Sequence, residues 1–207
     1  MRVSIITEGT TEFRALPRLF PQFRDRGGPQ VLSPPLKINV DGSAPPATIA
    51  RECKSRLLIA RQKNADLAVV LLDREGSPTC PGKVASEIEA AITRVCPAAL
   101  PVRVVLKDRM FENWLVADLD ALRAQPKRFE VKPAHERAVE PDRADRCAAL
   151  DLLKAMCLGS YDKVRDAERI CDRLDVGRAA SHSRSLRHLL HVIGDPAYAL
   201  QCALPDK

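Results

Sequence analysis

Four carboxylates stand just past apolar runs that read as strands. Glu8 follows residues 3–7, Asp73 and Glu75 follow 67–72, and Glu112 comes shortly after 102–106. Open α/β sheets hold their sites at the carboxyl ends of the strands, so the first three acids are expected to share one pocket. Carboxylates held together repel and call for a cation. Hard oxygen ligands with open positions suit Mg²⁺, or Mn²⁺ in its place. Such ions activate water and stabilise a leaving oxygen in phosphodiester cleavage. The expected ligands and reacting groups are Glu8, Asp73 and Glu75, with Glu112 as a further candidate ligand.

Each acid also has a plainer explanation. Glu8-Gly9 fits a strand-to-helix turn with the acid favoured by a helix N-terminus. Asp73-Arg74-Glu75-Gly76 fits a turn that ends a strand, and Glu112 fits a helix cap or a partner for Arg109. Other chemistries lack their patterns. There is no Gly-x-Gly-x-x-Gly, P-loop or Gly-x-Ser-x-Gly elbow, so the chain is not expected to hydrolyse nucleoside triphosphates by itself. Asp73-Arg74-Glu75-Gly76-Ser77 also misses the Asp-x-Asp-x-Thr pattern of haloacid-dehalogenase-like phosphatases. The seven cysteines have no zinc-ligand spacing and read as reduced thiols. His188 and His191 share a helix face, but no carboxylate at matching spacing completes a metal site with them.

The elements that must position these acids follow from periodicity. Strands are expected at 3–7, 36–40, 67–72 and 102–106, with the uninterrupted apolar run at 67–72 suited to a central parallel strand. Helices alternate with them: one from Thr10 or Thr11 as cap, shortened or bent by Pro17 and Pro21, then one from about 47, one carrying Val84, Ile88 and Ile92, and one from about 111. Residues 27–35 read as a loop. The order predicts an α/β fold with a doubly wound, mainly parallel four-stranded sheet and helices on both faces. From 126 onward the pattern is helical only, with helices expected at 142–158, 161–174 and 183–193. The expected division is a core over 1–125 and a helical extension over 126–207 packed on it.

The chain has 207 residues, 45% of them apolar and 4% aromatic, so its core must be mostly aliphatic. A net charge of +6 and a pI near 9.1 favour a polyanionic partner such as nucleic acid, although acids interleave with the basic residues on what read as solvated helix faces. Lys163 and Arg184 are candidates for phosphate contact or for plain surface. The apolar run at 3–6 is too short for a secretory signal and no run reaches transmembrane length, so a cytoplasmic protein with no membrane partner is expected.

Ile5-Ile6-Thr7-Glu8-Gly9-Thr10-Thr11-Glu12 resembles the opening motif of the Toprim family. Val69-Val70-Leu71-Leu72-Asp73-Arg74-Glu75-Gly76 resembles its second motif, a strand ending in Asp-x-Asp, with Glu75 where the second Asp is usual. The chain is closer still to a small stand-alone Toprim-like family of bacterial proteins, related to the nucleases of overcoming-lysogenization-defect proteins. The signature Glu112-Asn113-Trp114-Leu115-Val116-Ala117-Asp118 carries that likeness, with Tyr161-Asp162-Lys163 and Ser183-Arg184-Ser185. The resemblance implies that Glu8 is a general acid or base and metal ligand, and that Asp73 and Glu75 hold Mg²⁺. It further implies a Mg²⁺-dependent nuclease on DNA or RNA, a P-loop ATPase partner and an effector role in phage defence. The alternative is a non-catalytic Toprim-like scaffold that binds a partner protein or nucleic acid, with Glu75 marking lost activity.

Overall fold

A computed structural model of the chain describes residues 1–75, 77–97 and 100–199. Gly76 of the second motif and Cys202 lie outside the described residues. The element order is β1 (Arg2–Thr7), α1 (Thr10–Ala15), α2 (Phe20–Asp25), β2 (Gln30–Lys37), α3 (Pro46–Gln62), β3 (Leu67–Asp73), α4 (Pro81–Val95) and β4 (Val102–Lys107). A helical region follows: α5 (Glu112–Val116), α6 (Leu119–Arg123), α7 (Pro133–Val139), α8 (Ala149–Met156), α9 (Lys163–Cys171), α10 (Val176–His182) and α11 (Arg184–Ile193). The four strands form one all-parallel sheet in the order β2-β1-β3-β4.

Alternation along the strands feeds two cores. Val3, Ile5, Val69, Leu71 and Val105 face one apolar cluster, while Ile6, Ala68, Val70, Leu72, Val104 and Leu106 face the other. Helices α3 and α4 cover the second face with Ile49, Cys53, Leu57, Ile88 and Ile92. Helices α1, α2, α5 and α6 cover the first face, and the helices beyond residue 126 join that same cluster. Among these, α11 packs against β4 and α9 against α1. Chain direction explains the division. The β1-to-β2 crossover runs one way along the sheet, and the crossovers from β2 through β3 to β4 run the other. Right-handed connections therefore put their helices on opposite faces.

Several boundaries differ from the periodicity. The second strand is Gln30–Lys37, not 36–40, and it includes Pro34 and Pro35 from what read as a loop. It is an edge strand paired only to β1, where prolines cost least. The ladder skips across them: Ser4 pairs with Leu32 and Ile6 with Leu36. Gly9, not a threonine, stands at the N-cap of α1, and the Thr10 hydroxyl accepts a hydrogen bond from Lys37 Nζ at 2.8 Å. Pro17 and Pro21 do break the first helix, leaving a 3₁₀ turn at Leu16–Arg18 between α1 and α2.

The helix from about 111 is two helices, parted at Ala117 and Asp118. Residues 142–158 form a 3₁₀ turn at Ala144–Arg146 and then α8, because Asn113 Nδ2 donates to the carbonyls of Ala144 (2.6 Å) and Cys147 (3.1 Å). Helices α7 and α10 have seven residues each, too few to show a period. Beyond 126, the described residues contain one isolated bridge, Phe129 to Cys157, and no strand of the sheet. No helix among the described residues is long and apolar enough to cross a membrane, and the described cysteines are free thiols.

Candidate metal centre

The sheet order sets where a site can form. From β1 the chain leaves toward β2 on one side, while β3 leads on to β4 on the other, so the gap between the carboxyl ends of β1 and β3 is the topological switch point. Glu8 follows β1 and Asp73 ends β3, so both border this gap. Glu8 Oε1 accepts a hydrogen bond from the Asp73 backbone N–H. Glu12, one turn into α1, brings a third carboxylate, and the three offer oxygens within 4.8 Å of one another.

Lys107, the last residue of β4, reaches in from the neighbouring strand. Its Nζ lies 2.8 Å from Asp73 Oδ1 and 3.8 Å from Glu8 Oε1, and it is ion-paired to Glu12 Oε1. The lysine side chain is 0% exposed, Glu12 5%, Glu8 8% and Asp73 15%. Glu8 Oε2 is buried and finds no hydrogen-bond partner among the described residues.

Two glycines permit this crowding. A Cβ at Gly9 would run into the Glu12 carboxylate, and one at Gly42 would run into the Asp73 carbonyl oxygen. The first obstacle is the end of a flexible side chain and can move; the second is strand backbone. Gly42→Ala is therefore expected to destabilise the fold by about 1–3 kcal/mol, the usual cost of overpacking. Urea denaturation checks this, and an unchanged midpoint would mean that the loop simply backs away from β3.

Burial dominates the electrostatics. It pushes the Glu8 carboxyl up to about 7; Asp73 and Glu12 add to the rise, while Lys107 and the Asp73 N–H oppose it. Burial raises Asp73 as well, against the pull of Lys107. At Glu12 burial is outweighed by Lys107, and the carboxyl lies below its ordinary value. Burial also works against the Lys107 ammonium, yet Glu12, Asp73 and Glu8 together hold its pKa above that of an ordinary lysine.

The sign for Glu8 follows from linkage. Its ordinary value is 4.5 and its folded value about 7, so between them the folded protein binds more protons. The Glu8 contribution to stability is full below the ordinary value and is lost as pH rises through the folded value. The opposite contribution of Glu12 changes at lower pH, below its ordinary value. A cation needs the ionised carboxylate. The rise in melting temperature caused by Mg²⁺ over an EDTA control is therefore expected to grow from about pH 6 to about pH 8. Thermal melts across that range check it, and a Mg²⁺ effect independent of pH would mean that no proton leaves Glu8 when the ion binds in this range.

A family described as a domain of unknown function (DUF4276) matches residues 7–194. The chain belongs to this family. No curated protein and no solved structure matches it significantly. The matched segment of this DUF4276 chain contains every residue of the carboxylate–lysine group.

Within the DUF4276 domain the expected site residues fall in different places. Glu8 and Asp73 come together, as described. Glu75 is exposed, at a positive φ of 50°, and its N–H donates to the Arg109 carbonyl at 3.0 Å; its carboxylate is not among the three that converge. Glu112 is fully buried in the first turn of α5 and ion-paired to Lys163 Nζ at 3.1 Å, while its Oε2 lacks a hydrogen-bond partner among the described residues. Lys163 is half exposed at the start of α9, and the charges of Glu12 and Asp73 also reach it. Arg184 is exposed at the first position of α11.

Other motif residues tie the helices together. Trp114 Nε1 donates to Ser185 Oγ at 2.8 Å, and Asp145 accepts from Ser183 Oγ (2.8 Å) and the Ser185 N–H (2.7 Å). Asp118 accepts from Arg178 and from the Asp175 N–H. Sequence reasoning missed Glu12 as a site residue, naming it only at the end of the opening motif, and missed Lys107. The signal for Lys107 was a lysine ending a buried strand on the edge that carries the acids.

Proposed function

We propose that this chain is a Mg²⁺- or Mn²⁺-dependent phosphodiesterase of Toprim type that cleaves DNA or RNA. The observation that carries the reading is the convergence of Glu8, Glu12 and Asp73 at the switch point, with the buried Glu8 Oε2 unpartnered. An oxygen-only donor set of this kind fits a hard divalent ion. Glu8 and Asp73 would hold it, with Glu12 beside them. A bound ion supplies charge stabilisation to phosphate oxygens and lowers the pKa of water.

The chain's own groups fit the remaining tasks. Burial raises the Glu8 carboxyl to about 7 in the metal-free protein, so before an ion binds it can hold a proton near neutrality, which suits a general acid or base. The Lys107 ammonium, fixed by the strand end, stabilises negative charge developing nearby. Lys163, half exposed beside Glu112, attracts a phosphate at the rim. The family likeness read from the sequence adds a P-loop ATPase partner and a defence role to the proposal. Incubation of the purified protein with plasmid, single-stranded DNA and RNA, in Mg²⁺, Mn²⁺ or EDTA and with or without such a partner, tests it. Cleavage only in the metal arms is expected.

One observation favours a second reading, a non-catalytic scaffold. Lys107 already pairs with all three carboxylates, as a purely structural charge cluster would. A protein that binds nucleic acid or the partner and never cuts, in any metal, would establish that reading instead.

A further inference from the structure

From the position of Lys107 we infer that the centre takes a single divalent ion, with the lysine ammonium standing where a second ion would otherwise sit. The inference rests on the metal-centre part of the proposed function and specifies its stoichiometry.

Charge comes first. With all three carboxylates ionised, as a bound cation requires, Glu8, Glu12 and Asp73 carry three negative charges and Lys107 one positive charge, so two negative charges remain, which one divalent ion neutralises. Glu112 does not alter the balance, because Lys163 pairs with it.

Geometry agrees. Two-ion phosphodiesterase sites hold their ions roughly 4 Å apart. The ammonium is hydrogen-bonded to Glu12 Oε1 and lies 2.8 Å from Asp73 Oδ1 as an ion pair, so a positive charge already faces these oxygens on the β4 side. A second divalent ion on that side would have to share them with a fixed positive charge in a buried setting. Glu8 Oε2, in a side chain 8% exposed, has no hydrogen-bond partner among the described residues, and the lysine's contact with this residue is to Oε1. Glu112 Oε2 is a second buried oxygen without a partner, and its charge reaches Asp73. Of the two, Glu8 Oε2 marks need for a cation beyond the lysine, whereas Glu112 already has Lys163 as its counter-charge.

Lys107 also cannot withdraw easily. It is fully buried at the end of a paired strand, and Asp73 and Lys107 are register partners across β3 and β4. Its charge is thus part of the scaffold rather than a movable arm.

The test counts Mn²⁺ ions per chain by isothermal titration calorimetry on the full chain, with circular dichroism as a check of folding. The wild-type protein should bind one ion, Asp73→Asn none, Lys107→Arg one, and Lys107→Met two. Should Lys107→Met not fold, Lys107→Gln, which keeps a donor for the carboxylates without the charge, takes its place and should also bind two. Two ions or none on the wild type, or one on a folded variant lacking the charge, would overturn the inference. The count is independent of cleavage. One ion on a protein that cuts nothing leaves the inference standing and removes the nuclease reading. Two ions on a protein that cuts does the reverse.

Discussion

Lys107→Met is expected to cost about 3–5 kcal/mol of stability in the absence of metal, the range for removing one partner of a buried ion pair. For a chain of this length that corresponds to a melting temperature lower by roughly 6–20 °C. The reason is what the substitution leaves behind. Methionine fills much the same volume, so packing changes little. Glu12, Asp73 and Glu8 lose their common counter-charge while remaining largely buried. Protonation of Glu8, already near neutrality, relieves part of the repulsion, so the loss should be smaller at about pH 5 than at about pH 8. Mg²⁺ should restore part of it. Thermal melts of both proteins at the two pH values, with EDTA and with Mg²⁺, measure all three effects. A melting temperature within about 2 °C of wild type would mean that water reaches the carboxylates and that the lysine does not hold the strand ends together.

Asp73→Asn should have the largest effect on chemistry. If the proposed activity holds, cleavage should fall by more than about 100-fold, the upper range for losing a partner that only orients a ligand. Stability without metal should move little. The substitution removes an ion pair with Lys107 at 2.8 Å, but it also removes a negative charge from beside Glu8 and Glu12, and Lys107 keeps both of those acids. At a Mg²⁺ concentration about 100 times the Kd, bound ion adds about 2.7 kcal/mol to the wild type. That is roughly 5–11 °C in melting temperature, and the variant should show none of it. A variant that keeps its Mg²⁺ shift would remove Asp73 from the metal centre whatever happens to cleavage.

Strand and helix signals made most of the scaffold legible. The run at 67–72 is apolar at every position because β3 is central and both its faces are buried, and that is the condition under which sequence reads most clearly. The edge strand β2 was obscured by Pro34 and Pro35, which an edge tolerates and a propensity argument does not. In the helical region, long periodic stretches were visible, but their breaks were not. Those breaks are set by side chains distant in sequence, such as Asn113 holding the carbonyls of Ala144 and Cys147.

The candidate site divides along the same line. That Glu8 and Asp73 would meet could be read from the chain, because both directly follow apolar strands and parallel strands put their ends on one edge. Glu75 also follows β3, yet one turn decides its fate. At a φ of 50° its backbone is in the left-handed region, its N–H is tied to Arg109, and its carboxylate is left exposed. Glu12 enters because α1 begins at once after Gly9, whose missing side chain lets the carboxylate fold back over the strand end.

By itself, then, the sequence determined the α/β class, the parallel sheet, the helical region after it and two of the acids, since these depend on local periodicity and on strand ends. Only the tertiary structure decided that Glu12 replaces Glu75 in the group and that Lys107 lies among the carboxylates. The first depends on the turn after β3 and on α1 beginning directly after Gly9, the second on which strands are neighbours. The order β2-β1-β3-β4 brings the end of β4 beside that of β3, and a charge that reads as an ordinary strand terminus in the chain becomes, once buried there, the counter-ion of three acids.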